Sequence, residues 1–132
     1  MADNTQKTIL IVENEPALLK VYAEELNEVG FRVLRAKNGQ EGLELALFHK
    51  PDLILLDILM PVMDGLTMMK KLREEHLWGK GVPIIFLTNL SASEEKIMKA
   101  ITDYEPAYYL IKSDYTLEGV VEKIKERLSR RA

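Results

Sequence analysis

The chain has 132 residues, 47% of them apolar, and a net charge of −3, which is enough to bury a core within one domain and too hydrophobic for a disordered segment. It has no cysteine, which excludes disulfides and thiolate metal sites and reads most simply as a cytoplasmic chain. The acidic balance argues against direct nucleic-acid binding, and no apolar run is long enough to cross a membrane.

Residues 1–7 are largely polar, lack the apolar core of a signal peptide, and are expected to be disordered ahead of one domain spanning 8–132. Ile9-Leu10-Ile11-Val12 is a first buried strand. Leu18, Tyr22, Leu26 and Val29 then recur at helical spacing, with Gly30 just past the helix end. Phe31–Arg35 reads as a second strand, and the charges of Arg32 and Arg35 suit a sheet edge. Asn38 offers an N-cap to a helix over Gly42–His49 that Pro51 ends.

Leu53-Ile54-Leu55-Leu56 is a third strand, and Asp64 is expected to cap a third helix running from about Gly65 to Leu77. Gly79 and Gly81 break that helix, and Pro83 opens the strand Ile84-Ile85-Phe86-Leu87. Ser91 with Glu94 predicts a capping box for a fourth helix carrying Ile97 and Ile101. Ala107–Ile111 forms a fifth strand. Thr116 caps a last helix with Leu117, Val120, Val121, Ile124 and Leu128 on one face, and Arg127, Arg130 and Arg131 complement the dipole at its end. Strands alternating with helices at this spacing mean a doubly wound α/β domain with a five-stranded parallel sheet and right-handed crossovers, although periodicity leaves the strand order open.

A strand that is apolar throughout is buried on both faces, so its first polar residue emerges where the strand ends. In an open α/β sheet that edge is where ligands bind. Here the first strand delivers Glu13 and Asn14, the third Asp57, the fourth Thr88 and the fifth Lys112. Two acids, an amide, a hydroxyl and an ammonium thus converge on one edge. Asn14, just before Glu15-Pro16, also reads as a cap for the first helix. Tyr108 and Tyr109 alternate faces, so only one can lie on the Thr88 side. His49 and His76 read as surface side chains, and Trp78 as packing over the end of the third helix.

The segment Asp57-Ile58-Leu59-Met60-Pro61-Val62-Met63-Asp64-Gly65, with Pro83–Thr88 and Tyr109–Lys112, resembles the receiver domain of two-component response regulators, and the match runs from Ile9 to Arg127. The resemblance implies a flavodoxin-like (βα)5 fold with strand order 2-1-3-4-5. It implies that Asp57 accepts a phosphoryl group from a sensor histidine kinase or phosphotransfer protein. Glu13, Asn14, Asp57 and the backbone carbonyl of Leu59 would hold Mg²⁺, Thr88 and Lys112 would bind phosphoryl oxygens, and Thr88 with Tyr109 would form a switch. An output protein would be engaged through the face built by the fourth helix, fifth strand and fifth helix. The chemistry is physically coherent: a carboxylate attacking a phosphoryl centre needs a cation and an ammonium to offset the gathering negative charge.

Several positions depart from the family pattern. Asn14 stands for an aspartate, so Mg²⁺ binding is expected to be weak. Ser113 stands for a proline usually preceded by a cis bond, so the Lys112–Ser113 bond is expected to be trans. Glu105-Pro106 replaces a Gly-Ala pair, Asn89 a small residue, and Leu59 and Leu90 are apolar where phosphoryl lifetime is tuned. The leading expectation is a signalling switch that catalyses only its own phosphorylation and dephosphorylation. The alternative is a pseudo-receiver that binds partners regardless of phosphorylation. A flavodoxin-like or phosphatase-type enzyme is disfavoured, since no Gly-rich loop follows the first strand and no acid stands two residues past Asp57.

Overall fold

The computed structural model describes residues 6–130. Its elements are β1 (Thr8–Val12), α1 (Pro16–Glu28), β2 (Arg32–Ala36), α2 (Gly39–His49), β3 (Leu53–Leu56), α3 (Gly65–Glu75), β4 (Ile84–Thr88), α4 (Glu95–Tyr104), β5 (Tyr108–Ile111) and α5 (Leu117–Ser129), with 3-10 turns at Trp78–Lys80 and Lys112–Asp114. The strands are all parallel in the order β2-β1-β3-β4-β5, so β1 and β3 adjoin at the centre and the crossovers diverge to both faces. This is the flavodoxin-like arrangement implied by the resemblance.

Alternation along the strands divides the core in two. Leu10, Val12, Ile54, Leu56 and Phe86 pack against Ala46 of α2, Met68, Met69 and Leu72 of α3 and Ile97 of α4. Ile9, Ile11, Leu55, Ile85 and Leu87 pack against Tyr22, Ala23 and Leu26 of α1 and Val120, Val121 and Ile124 of α5. β2 is an edge strand with Arg32 and Arg35 exposed.

Local signals set most element ends. α1 closes in a Schellman motif: Gly30, at φ +107°, donates to the Asn27 carbonyl and Phe31 to that of Leu26. Asn38, Asp64 and Thr116 cap α2, α3 and α5 through bonds of 2.8, 2.8 and 3.0 Å to the backbone N–H of Glu41, Thr67 and Gly119.

Other expectations need correction. The Ser91/Glu94 capping box does not form, because Ser91 Oγ is engaged by the Ser93 N–H and hydroxyl, and α4 starts later, at Glu95, without a side-chain cap. Asn14 does not cap α1: the N-cap is Glu15, and its N–H is taken by Glu13 Oε2 at 3.1 Å. α2 begins three residues earlier than expected, β2 is shifted by one residue, and α3 stops at Glu75, leaving Leu77 87% exposed. Of the segment 1–7, residues 1–5 lie outside the described residues, as does Arg131; the Lys7 carbonyl accepts from Arg32 N at 2.9 Å. No described helix is long and apolar enough to cross a membrane.

Candidate functional site at the carboxyl edge of the sheet

β1, β3 and β5 end in Glu13, Asp57 and Lys112, and the structure brings the three into direct contact. Lys112 Nζ lies 2.9 Å from Glu13 Oε1 and 3.0 Å from Asp57 Oδ2. All three side chains are largely shielded, at 16% exposure for the lysine, 5% for the glutamate and 8% for the aspartate. Asp57 Oδ1 accepts from the Ile58 N–H at 2.7 Å, which fixes the carboxylate plane. The backbone is equally close: a Cβ on Gly65 would stand 2.1 Å from the Asp57 carbonyl oxygen, so glycine lets the start of α3 press against the residue that bears the carboxylate.

Two carboxylates and one ammonium share a confined space, an excess of one negative charge when all three are ionised. Burial raises the Glu13 carboxyl above its ordinary pKa and the neighbouring Asp57 charge adds to this, while the Lys112 hydrogen bond opposes it. Burial alone would depress the Lys112 ammonium, but hydrogen bonds and charge from Glu13 and Asp57 outweigh it and hold that pKa above the ordinary lysine value. One cation is thus shared by two acids.

Thr88 ends β4 between the strands that deliver Asp57 and Lys112, and is 1% exposed. Its Oγ1 accepts from Leu90 N at 3.3 Å, while the Leu90 carbonyl accepts from the Tyr109 hydroxyl at 2.8 Å. Tyr109 lies on the α3/α4 side with its ring centroid 5.7 Å from that of Phe86, so of the two tyrosines it is the one on the Thr88 side. Its phenol is pushed up to about 12, by burial first and then by the charges of Glu94 and Asp57, so it remains a neutral donor. Tyr108 faces α5, where Glu126 accepts its hydroxyl at 2.6 Å.

Thr88 and Tyr109 bond Leu90 rather than the cluster, and two more expected residues, Asn14 and Leu59, also stand apart from it. Asn14 is exposed beside Glu13 and makes no hydrogen bond with another described residue, and the Leu59 side chain is 62% exposed in the loop after Asp57. No group of three or more His, Cys, Asp or Glu side chains able to hold a metal occurs among the described residues. Two carboxylates, an adjacent amide and a backbone carbonyl remain hard oxygen donors that fit a Mg²⁺ ion keeping several waters. The Lys112–Ser113 bond is trans, as expected, since there are no cis peptide bonds among the described residues.

Two features escaped sequence reasoning. Val62 adopts φ +68° while Met63 N bonds the Pro61 carbonyl at 2.7 Å, so this β-branched residue is the centre of a strained γ-turn in the loop after Asp57. Nothing in the residue type signals that conformation. Tyr22 of α1 lines a small void of about 10 Å³ together with Glu13 and Asp57; helical spacing marked it only as core.

With this geometry, the comparisons with known proteins agree. Residues 9–125 match the model of the response regulator receiver domain, and the chain belongs to that family. It is 30% identical over 98% of its length to a probable transcriptional regulatory protein, TcrX, of Mycobacterium tuberculosis, and 34% identical over 92% to the response regulator ArlR of Staphylococcus aureus. Those matches take in 53% and 52% of the relatives, so the chain spans about half the length of the curated relatives it matches. Among solved structures, a CheY-like receiver domain protein from Methanospirillum hungatei superposes with TM-score 0.83 at 27% identity, covering 94% of each chain. The BeF3-activated N-terminal receiver domain of Klebsiella pneumoniae RstA superposes with TM-score 0.80 at 26% identity, covering 94% of this chain and all of that one.

Proposed function

We propose that this receiver is a phosphoacceptor in a two-component relay, with Asp57 as the nucleophile. The observation that carries the reading is the Lys112 ammonium held at 2.9–3.0 Å by both Glu13 and Asp57, at the strand ends and beside a buried Thr88. In the transfer, an Asp57 oxygen bonds to phosphorus as the bond to the donor's histidine nitrogen breaks, and the departing imidazole takes up a proton. Lys112 neutralises charge growing on the phosphoryl oxygens, and the Thr88 hydroxyl donates to another of them. Glu13, Asn14, Asp57 and the Leu59 carbonyl are the residues that would hold Mg²⁺, which when bound offsets negative charge between nucleophile and phosphoryl group.

Switching would run along the chain of bonds from the end of β4 through Leu90 to Tyr109 of β5. Turning Thr88 Oγ1 to the phosphoryl group gives up its bond from Leu90 N, and Leu90 is the residue whose carbonyl holds Tyr109. The consequence reaches the face of α4, β5 and α5, where an output partner would read it. Leu59 and Leu90 offer a hydrolytic water no side-chain hydrogen bond, so the phosphoryl group should be long-lived. A small phosphodonor with Mg²⁺ should add one phosphoryl mass to the intact chain. No incorporation at saturating Mg²⁺ would favour the pseudo-receiver reading instead.

A further inference from the structure

We propose that the groove between α3 and α4 docks an acidic, amphipathic helix of a partner protein. The groove is an open cleft of about 280 Å³; the largely buried Leu66 and the half-buried Ala100 form its apolar floor, Lys70 flanks it from α3, and Lys96 and Lys99 flank it from α4. All three lysines are exposed, in a chain whose net charge is negative. Asp103 already pairs with Lys99 at 2.8 Å, whereas Lys70 and Lys96 have no ion-pair partner among the described residues. Like charges from two helices around one apolar cleft are repulsive unless anions come between them.

The groove is also preformed. Tyr104 lines it at the end of α4; its carbonyl accepts from Arg73 Nε at 2.9 Å and its hydroxyl donates to Glu74, so the end of α4 is tied to α3 from both sides of one residue. A ligand therefore does not have to order this end of the cleft. Lys96 and Lys99 lie three residues apart on one helix face, matching acids at i and i+3 or i+4 on a docked helix whose apolar stripe enters the cleft. A long polyanion fits less well. Asp103, Glu74 and Glu105 at one end, and Glu94 and Glu95 at the start of α4, confine the positive field to the middle of the groove.

The test is an NMR titration of the intact chain with a synthetic helical peptide of about four turns, leucines on one face and glutamates flanking them. Expected are shifts confined to Leu66, Lys70, Lys96, Ala100 and Tyr104, with affinity falling at least tenfold between about 50 and 300 mM salt. Lys70→Glu with Lys96→Glu should weaken binding at least tenfold while phosphoryl uptake at Asp57 stays unchanged, which separates this proposal from the function proposed above. A matched peptide with lysine for glutamate should not bind. Shifts centred on another face, insensitivity to the charge reversal, equal competition by mixed-sequence duplex DNA, or no shift at about 1 mM peptide would each overturn the proposal.

Discussion

At the carboxyl edge of the sheet an ammonium is held by two carboxylates; at the opposite edge a guanidinium is held by three backbone carbonyls. Arg73, in the last turn of α3, donates to Tyr104 O at 2.9 Å, Gly79 O at 2.7 Å and Val82 O at 2.8 Å, joining the ends of α3 and α4 to the start of β4. Burial lowers its pKa, opposed by the charge of Glu105, yet guanidinium stays charged throughout the working range. The contrast lies in the partners. Carbonyls engaged by a permanent cation can only hold the chain in place. Carboxylates sharing one ammonium can exchange that pairing for a phosphoryl group or a cation, which is what the proposed function requires. The reactive edge also carries the strained Val62 turn and two exposed apolar side chains, Leu59 and Val62, whereas the opposite edge is drawn together tightly enough that a Cβ on Gly79 would meet the Leu72 carbonyl at 2.2 Å.

The largest expected effect comes from removing the shared cation. Lys112→Met leaves Glu13 and Asp57 facing each other in a confined site and should cost about 2–4 kcal/mol at neutral pH, since breaking a buried pair strands a charge. The sign with pH follows from Glu13. Its folded pKa lies above the ordinary 4.5, and the lysine is one of the groups holding it down, so the variant raises it further. Stability linked to a raised acid pKa is present at low pH and lost as pH rises through the folded value. The deficit relative to the parent should therefore be small below the ordinary value of 4.5 and grow as the pH rises past it, measurable by urea unfolding at each pH. The parent's Lys112 has a raised pKa of its own, and its contribution persists until the pH climbs through that value. A deficit independent of pH would contradict the charge balance described here.

Arg73→Ala tests the other edge. Three carbonyls lose a charged donor, at about 1–3 kcal/mol each if no water replaces it, so a loss of about 2–3 kcal/mol is expected after partial hydration. It should not vary between pH 4 and 8, and phosphoryl uptake of the folded fraction should be retained. Arg73→Lys should recover only part of the stability, because an ammonium lacks the planar fork that spans three acceptors. Loss of phosphoryl uptake in the folded variant would show that the two edges are not separable.

Asn14→Asp should tighten Mg²⁺ roughly tenfold, about 1.4 kcal/mol, because a full negative charge joins the two acids beside an exposed position. Calorimetric titration reads this directly, and an unchanged affinity would remove Asn14 from the ligand set. The smallest effect concerns strain. Val62→Gly relieves a left-handed conformation worth about 1–2 kcal/mol and gives back roughly half in unfolded-chain entropy, so the variant should be more stable by about 0.5–1 kcal/mol. A destabilised Val62→Gly would mean the turn is held by packing of the side chain, which its 81% exposure argues against.

The sequence carried the reactive edge more fully than the clamped one, for a physical reason. Four apolar strands each end at a polar residue, and parallel pairing leaves those residues little choice but to meet; Glu13, Asp57, Thr88 and Lys112 were legible for that cause. Caps at Asn38, Asp64 and Thr116 were legible because each side chain bonds a backbone N–H three residues on, a purely local event. Arg73 was not, since its acceptors lie six to thirty-one residues away and a cation in a helix's last turn ordinarily serves the dipole. The Ser91/Glu94 box failed because nearby Ser93 competes for the same hydroxyl. Strand order also lay beyond periodicity, which sees only which faces are apolar; it came from family resemblance.

In the function proposed here one carboxylate, selected by its strand-end position and its lysine, takes the phosphoryl group. The direct measurement is fragment mass analysis of the chain after treatment with a small phosphodonor at saturating Mg²⁺, alongside Asp57→Asn. Expected is one phosphoryl group per chain, located on the fragment containing Asp57, and none on the variant. A phosphoryl group on any other residue, or labelling that survives Asp57→Asn, would contradict it.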